Sequence, residues 1–430
     1  MRQPLPLLLL AMALVPLWAE PMTLSLDDAV GLAMRASLDM QGNDLAVASA
    51  KRSLENSWNL FLPGISSSLG ASLSDDLFID TPARAGVAAA NPFGTTVTLG
   101  TRLTVGTAVL FDLEARRAAY RSSVLDRQMA SASLTRDVEK AYFAIVSLEL
   151  DLQNKGKAAE LSAERQRLAA FRFERGLGSE LDVLKAQMSE LNARAAVEKA
   201  DADFRKRQAT FRRQLGLPAG TQLTLSTALE IPPGIHPQAP ESLIDGRLDL
   251  EKARLAMAAA ASAVARYDAT VRLPVVTLEA GWNFGLDDFS DSSDQFTLKA
   301  GLAFNPDAWI PRSQKDLALR SLREAQDSQA AKYQQGLRNA RDEIEALLLD
   351  IGLAARSLEL ADGQVSLAER IYVRTKEAWE RASATGLELE EAGLAVDSAQ
   401  QSLIAVRYQY LSLLIDLGYA LNVDWRTLAP

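Results

Sequence analysis

The sequence contains no cysteine, and this absence excludes several kinds of chemistry. Without a thiol the chain can form no disulfide, thiolate metal site or thiol nucleophile, and it can carry no lipid on an N-terminal cysteine. The single histidine, His236, lies in a proline-rich stretch, where a solvated loop residue is a more common role than a general base. No phosphate-binding glycine loop, serine elbow or metal-ligand spacing is present. We therefore expect no enzymatic activity, no metal and no cofactor.

Positive charge is also limited, because 46 Lys and Arg residues face 55 Asp and Glu residues, which gives a formal net charge of -9. No cluster of basic and aromatic residues contradicts this balance, so we do not expect nucleic acid as a partner. Aromatic residues make up only 6% of a chain that is 48% hydrophobic. This composition favours a large core of closely packed helices.

Long apolar runs are missing except at the N-terminus. There, Arg2 precedes the run LPLLLLAMALVPLWA, which ends at the small residue Ala19 in the order of a secretory signal peptide. We expect residues 1–19 to be a signal peptide cleaved near Ala19, with a short anchor helix as the alternative. No later run approaches the ~20 apolar residues of a spanning helix, so a membrane-embedded part would have to consist of strands.

A partial internal repeat organises the rest of the chain. The stretch FERGLGSELDVLKAQMSELNAR, residues 173–194, has a partial copy, WERASATGLELEEAGLAVDSAQ, about 206 residues later. Earlier segments also match, including a Leu-Pro pair in each half. These matches predict two structural repeats, 20–217 and 245–430, each with a helix, two strands and a long helical hairpin. The Pro- and Gly-rich segment 218–244 is the predicted linker between them.

Four segments alternate between apolar and polar residues with the period of a strand. A soluble sandwich with one wet face is the common meaning of this pattern, but no second layer remains to cover the apolar faces. Four strands cannot close a membrane barrel alone, whereas a dimer would supply eight and a trimer twelve. The apolar positions are Ile65, Leu69, Ala71 and Leu73; Val97, Leu99, Leu103 and Val105; Val276, Leu278, Ala280, Trp282 and Phe284; and Phe296, Leu298, Ala300, Leu302 and Phe304.

A long helical tract without proline follows each pair of strands, roughly over residues 111–175 and 313–381. A helix of that length reaches about 100 Å, so parallel neighbours must supply its packing. Apolar residues spaced alternately by four and three positions predict a coiled-coil seam. An ordinary long soluble coiled coil has the same periodicity. The neighbouring strands, with their uncovered apolar faces, count against that interpretation. The predicted seams are Leu134, Val138, Ala141, Ile145, Leu148 and Leu152, and Ile344, Leu348, Ile351, Ala355 and Leu358.

The repeated stretch contains the signals that end one helix and begin another. Gly176 and Gly178 interrupt the first tract, and Ser179 with Asp182 has the spacing of a capping box. Thr385 with Glu388 has the same spacing in the second copy. Each stretch is therefore predicted to be the turn of a long helical hairpin.

The duplicated turn, GLGSELDVLKAQ and ATGLELEEAG, together with the Leu-Pro pairs and the order of elements, resembles the TolC-like outer membrane efflux protein family. The resemblance implies a mainly α fold with a small β part. Long coiled-coil hairpins would form an α-barrel, and four strands per protomer would contribute to a trimeric 12-stranded transmembrane β-barrel.

The same resemblance implies the outer membrane channel-tunnel of a tripartite efflux or type I secretion system. Such a homotrimer sits in outer membrane lipid, extends into the periplasm and docks to a periplasmic adaptor (membrane fusion protein) and an inner-membrane transporter. Substrates would pass without chemistry. The alternative is a periplasmic coiled-coil scaffold or adaptor, which would need only one hairpin and would stay soluble without detergent.

The resemblance also implies the site residues at the hairpin tips. Asp182 and Glu388 equally suit the acidic position of a capping box, and Trp379 stands where well-known members have tyrosine. Ala384 replaces their arginine. The implied periplasmic aperture gate consists of Asp182, Trp379, Glu388 and Glu391. The implied hairpin tip and adaptor contact consists of Arg175, Gly176, Leu177, Gly178, Ser179, Arg381, Thr385 and Gly386.

Overall fold

A computed structural model describes residues 22–73, 93–106, 108–229, 241–285, 295–303, 306–381 and 383–428. The predicted signal peptide, Phe304 and His236 lie outside these ranges. Within the described ranges, none of the helices is both long and apolar enough to cross a membrane.

The chain is mainly helical, with two helices of 67 residues each. Each of these long helices follows a pair of strands and precedes a shorter return helix, as the sequence predicted. The first half contains β1 (Met22–Leu24), α1 (Leu26–Ala36), α2 (Leu38–Glu55), β2 (Gly64–Leu73), β3 (Phe93–Val105), α3 (Ala108–Glu174) and α4 (Glu180–Gln214). The second half contains β4 (Leu223–Leu225), α5 (Glu241–Asp245), α6 (Leu248–Arg272), β5 (Val275–Gly285), β6 (Gln295–Ala303), α7 (Gln314–Glu380) and α8 (Gly386–Leu421). Short 3-10 helices lie at Asn56–Phe61, Pro306–Trp309 and Trp425–Leu428.

The described residues form two compact units, and each unit takes segments from both predicted repeats. The hairpin unit contains residues 22–40, 130–229 and 343–428. The sheet unit contains the described residues of 41–129 and 241–342. The repeats therefore follow the order of elements along the chain, whereas each compact unit combines elements from both repeats.

The sheet unit contains one antiparallel sheet with strand order β2-β3-β5-β6. Leu99, Trp282 and Phe296 lie side by side across three strands on one face, and they are 45%, 46% and 66% exposed. On the other face, the Arg102 guanidinium lies 2.6 Å from the Glu279 carboxylate in the adjacent strand. The alternation predicted from sequence is therefore present, and its apolar side is open.

The core of the hairpin unit lies where α3 packs against the C-terminal half of α8. Leu411 and Leu414 of α8 are fully buried, as is Tyr142 of α3. The Tyr142 hydroxyl donates to the Leu24 carbonyl at 2.9 Å and accepts from the Thr227 N–H at 2.9 Å. This hydroxyl thus joins two segments about 200 residues apart in sequence.

The predicted linker 218–244 contains more structure than we expected from its proline and glycine content. Its strand β4 pairs in parallel with β1, and its last residues form most of α5. A three-residue strand is too short to show alternation, and its partner lies at the other end of the repeat. The segment 218–244 therefore includes a paired strand in addition to connecting the two repeats.

The α7 seam begins at the predicted positions and then shifts by one residue. Ile344 and Ile351 are buried as expected, but burial continues at Ala354 and Ala361, and Ala355 is only half-buried. Alanine gives a weak signal in a hydrophobic pattern, yet its small side chain permits close approach of neighbouring helices. The later part of this seam could not be placed from leucine and isoleucine alone.

Candidate functional site

The first hairpin tip is a short turn between α3 and α4. Gly176 adopts a left-handed conformation with φ of 71°. Its N–H bonds the Phe173 carbonyl at 2.9 Å, and the Leu177 N–H bonds the Arg172 carbonyl at 2.8 Å. This pair of bonds is a Schellman motif, which satisfies the free carbonyls at a helix end and turns the chain back.

The N-terminus of α4 is closed by the predicted capping box. The Ser179 hydroxyl accepts from the Asp182 N–H at 3.2 Å, and the Asp182 carboxylate accepts from the Ser179 N–H at 3.2 Å. The hydrogen bond from the Ser179 hydroxyl is the main reason why the pKa of Asp182 lies below its ordinary value. Asp182 is therefore held as an exposed carboxylate at the tip, where it also offsets the helix dipole.

The second tip has the same capping box at the start of α8, but the end of α7 is closed by different hydrogen bonds. Ser383 closes the end of α7, because both its N–H and its hydroxyl donate to the Ala378 carbonyl at 2.9 Å. Thr385 then caps α8, with its N–H bonded to the Glu388 carboxylate at 2.7 Å and its hydroxyl accepting from the Glu388 N–H at 3.3 Å. Glu388 thus has a local structural role in the cap of α8.

The two arginines of the implied contact surface make local contacts. Arg175 stacks on the ring of Phe171, with 4.9 Å from its guanidinium carbon to the ring centre. Arg381 donates from Nε to the Glu377 carbonyl at 3.0 Å and so caps the end of α7. Both side chains remain exposed at the tips.

Trp379 makes a contact between the hairpins that the sequence did not reveal. The Arg172 guanidinium of α3 lies over the Trp379 ring of α7, 3.9 Å from its centre. Such a cation–π contact links the first hairpin to the second. Arg165 and Arg172 are seven residues apart and share a helix face, and this spacing was the available signal.

A cavity of about 120 Å³ between the tips brings several predicted residues together. Leu177, Gly178 and Asp182 reach it from the first hairpin, and Trp379 and Gly386 reach it from the second. The structure therefore places these five residues at one site.

Glu388 and Glu391, two of the predicted gate residues, are exposed and are not among the residues that line this cavity. The Glu391 side chain makes no hydrogen bond or ion pair within the part of the chain that the structure describes. Across that same part, no three histidine, aspartate or glutamate side chains are grouped to hold a metal ion.

Comparison with known proteins agrees with this geometry. A family model described as "Outer membrane efflux protein" matches residues 30–217 and 239–423. No curated protein matches the sequence. CusC, a protein studied for its folding and transmembrane channel formation, has a TM-score of 0.78 at 15% identity, over 93% of this chain and 92% of that chain.

Two channels with named organisms are similar in the same way. The CmeC outer membrane channel of Campylobacter jejuni has a TM-score of 0.78 at 16% identity, over 94% of this chain and 88% of that chain. The open state of the MtrE outer membrane channel of Neisseria gonorrhoeae has a TM-score of 0.74 at 16% identity, over 93% of this chain and 89% of that chain. These likenesses show a shared fold.

The family match covers most of the chain in two segments, one in each half. It confirms the outer membrane export role predicted from the sequence, in a family of channels and not of enzymes, and no comparison supports the scaffold alternative. The chain belongs to the outer membrane efflux protein family.

Proposed function

We propose that this outer membrane efflux protein forms a passive homotrimeric duct, which docks to a periplasmic adaptor and an inner-membrane transporter. The observation that carries the proposal is the open apolar face of the four-stranded sheet. An exposed surface of Leu99, Trp282 and Phe296 is costly in water and favourable in lipid.

The edges of the sheet support assembly of several copies. β2 and β6 each have only one neighbouring strand among the described residues. Unpaired backbone groups are very costly in lipid, so both edges require a partner. Pairing β6 of one copy with β2 of the next continues the antiparallel order, and three copies give twelve strands in a closed ring.

The native mass of the protein extracted from outer membranes tests this assembly. After subtraction of bound detergent, we expect the mass of three copies. A monomer that stays soluble without detergent would contradict the shared barrel, because its apolar sheet face would then be stable in water.

The second hairpin tip supplies carboxylates that make the periplasmic opening of the duct selective for cations. Glu388 and Glu391 are three residues apart and share a face of α8, so three copies would place six carboxylates around the periplasmic opening. Asp182 adds a carboxylate from each first tip, and Trp379 holds the two hairpins of a protomer together through Arg172. These carboxylates would favour cations at the opening.

Glu391→Gln is the sharpest test of this role, because Glu391 is not part of the cap. We expect a smaller cation preference, measured from reversal potentials in planar bilayers under a salt gradient, with an unchanged thermal midpoint. Glu198→Gln, an exposed glutamate of α4, is the control and should change neither quantity. Unaltered selectivity in Glu391→Gln would remove this residue from the opening.

The first tip is the proposed adaptor contact. Leu177 is 77% exposed, and Leu181 and Leu184 on the following turns are 58% and 54% exposed. An apolar strip beside a tightly turned loop suits a helical partner that packs along α4. Gly176 and Ser179 give the loop its shape, and Arg175, Gly178, Arg381, Thr385 and Gly386 are the other residues of the proposed contact.

A further inference from the structure

The polar face of the four-stranded sheet carries all of its charges at one level. Within the bounds of β2, β3, β5 and β6, the charged residues are Arg102, Glu279 and Lys299. The register pairs Arg102 with Glu279 and Glu279 with Lys299, so the three residues lie side by side on β3, β5 and β6. We call these three residues the charged row.

The rest of this face contains no charge that could oppose the charged row. In the register of the four strands, the other positions of the polar face are glycine, serine, threonine, asparagine and glutamine, apart from Val275 and Ala303 at one end. Small side chains therefore surround the charged row, and its field is set by its own three members.

The single carboxylate of the charged row lies between two cations and pairs with one of them. The Arg102 Nε atom lies 2.6 Å from the Glu279 carboxylate. Lys299 lies opposite Glu279 in β6, is exposed, and makes no hydrogen bond or ion pair with any residue that the structure describes. A cross-strand pair of opposite charges stabilises a sheet, and Arg102 with Glu279 already provides that pair. Lys299 is an additional positive charge.

A neighbouring copy of the chain cannot neutralise Lys299 through strand pairing. In the proposed trimer, the edge strand β6 pairs with β2 of the next copy. The sequence of β2 is GISSSLGASL, which contains no charged residue. Whatever the register of that pairing, β2 places no carboxylate beside Lys299. By symmetry, the three copies of Lys299 then lie at one height in the barrel.

We propose that Lys299, beside the Arg102–Glu279 pair, makes the charged row a positively charged ring inside the barrel, which concentrates small anions with carboxylate or phosphate groups on their way out. The proposal rests on the proposed function, because only a closed barrel turns the polar face towards a lumen. Walls of low dielectric constant focus the field of such a ring and raise the local concentration of counter-ions. Arg102 lies three residues, about 10 Å, before the end of β3 that leads into α3.

The absence of cysteine allows the electrostatic potential at the charged row to be measured directly. Thr297→Cys places a thiol on the same face of β6, two residues or about 7 Å from Lys299. The rate constants of this thiol with an anionic and a cationic methanethiosulfonate reagent are measured on purified full-length trimers. Their ratio reports the local potential, whereas reversal potentials of the whole channel would also include the carboxylates proposed at the periplasmic opening.

We expect Lys299→Gln to lower the ratio of the anionic to the cationic rate constant at Thr297→Cys about threefold in about 0.15 M salt. In about 1 M salt the difference should nearly disappear, because the screening length falls to about 3 Å. Lys299→Arg keeps the charge and is the matched control, so it should leave the ratio unchanged.

A second control places the thiol on the same face but far from the charged row. Thr96 is exposed and lies six residues, about 20 Å, from Arg102 along β3. This distance exceeds two screening lengths in about 0.15 M salt. The ratio at Thr96→Cys should therefore be the same with and without Lys299→Gln.

The outcomes separate this inference from the proposed function, because the native mass of each variant is measured first. A monomer would contradict the duct and the ring together. Trimers in which Lys299→Gln leaves the ratio unchanged, or in which Lys299→Arg lowers it equally, would overturn the ring and leave the duct standing. If Lys299→Gln fails to assemble, Glu279→Gln is decisive. It removes the only carboxylate of the charged row and should raise the ratio at Thr297→Cys about threefold, and an unchanged ratio would overturn the ring.

Discussion

The two ends of α8 differ in how they are held, and the difference separates stability from function. At the tip, Thr385 and Glu388 are fixed by bonds within one turn of helix, and both side chains are exposed. At the other end, Leu411, Leu414 and Leu417 are fully buried among residues from distant parts of the chain. Changes at the tip can therefore alter transport at a small cost, whereas changes at the buried end should destabilise the whole hairpin unit.

The largest expected effect is at the buried end. Leu414→Ala leaves a cavity in the core and should destabilise the hairpin unit by about 3 kcal/mol, seen as a lower thermal midpoint in detergent. Leu394→Ala changes the same residue type in the same helix where it is 58% exposed, and it should leave the midpoint nearly unchanged. Equal effects of the two variants would contradict the contrast between the two ends.

Glu139 gives the buried end a pH dependence at near-neutral pH. Burial raises the pKa of Glu139 from 4.5 to about 7. The Trp425 indole N–H and the charge of Arg426 oppose the rise, whereas the charges of Asp424 and Asp27 add to it. The indole is close enough to affect the pKa, yet its nitrogen completes no hydrogen bond with a described group.

The second prediction follows from this raised pKa. Between pH 4.5 and 7 the folded state holds a proton that the unfolded state has lost, so the free energy of unfolding falls as the pH rises through that window. Above it, Glu139→Gln should be more stable than the unmodified protein by on the order of 2 kcal/mol. Thermal midpoints at pH 5 and pH 8 check this, with the exposed Glu164→Gln as the control. A gain of equal size at both pH values would contradict it.

The smallest expected effect is at the first tip. Gly176→Ala places a side chain at a φ of 71° and should cost about 1 kcal/mol. The effect should appear as roughly fivefold faster hydrogen exchange at the amides of Gly176 and Leu177, with little change in the thermal midpoint. Gly178→Ala is the control, because its Cβ would lie 3.4 Å from the Arg172 Cβ in ordinary contact. Equal exchange rates in both variants would show that the left-handed turn is not limiting.

The hairpins and strands could be predicted because their signals are local. Ser179 and Asp182 are three residues apart, and their spacing alone determines where α4 begins. The strands show their two faces through alternation, and the exposed Trp282 and Phe296 confirm which face is apolar. Both kinds of signal lie within about ten residues of sequence, where pattern reading is most reliable.

The contacts between hairpins could not be predicted, because they join residues far apart in sequence. Arg172 meets Trp379 across more than 200 residues, and Arg165 meets Gly393 across a similar distance. The seven-residue spacing of Arg165 and Arg172 places both on one face of α3, but it does not identify their partners in the other hairpin. The pairing of β1 with β4 was missed for the same reason, since three residues give no period to read.

The pairing of β1 with β4 also constrains the order in which the molecule can fold. β1 has no partner until residues 223–225 have emerged, and the core beside it needs α8, which ends at Leu421. As the chain emerges, β1 therefore stays unpaired for about the first half of the chain, and the core beside it stays incomplete until α8 is present. Contacts of such long sequence separation fold slowly, so the early segments remain exposed to aggregation and proteolysis until the last helix arrives.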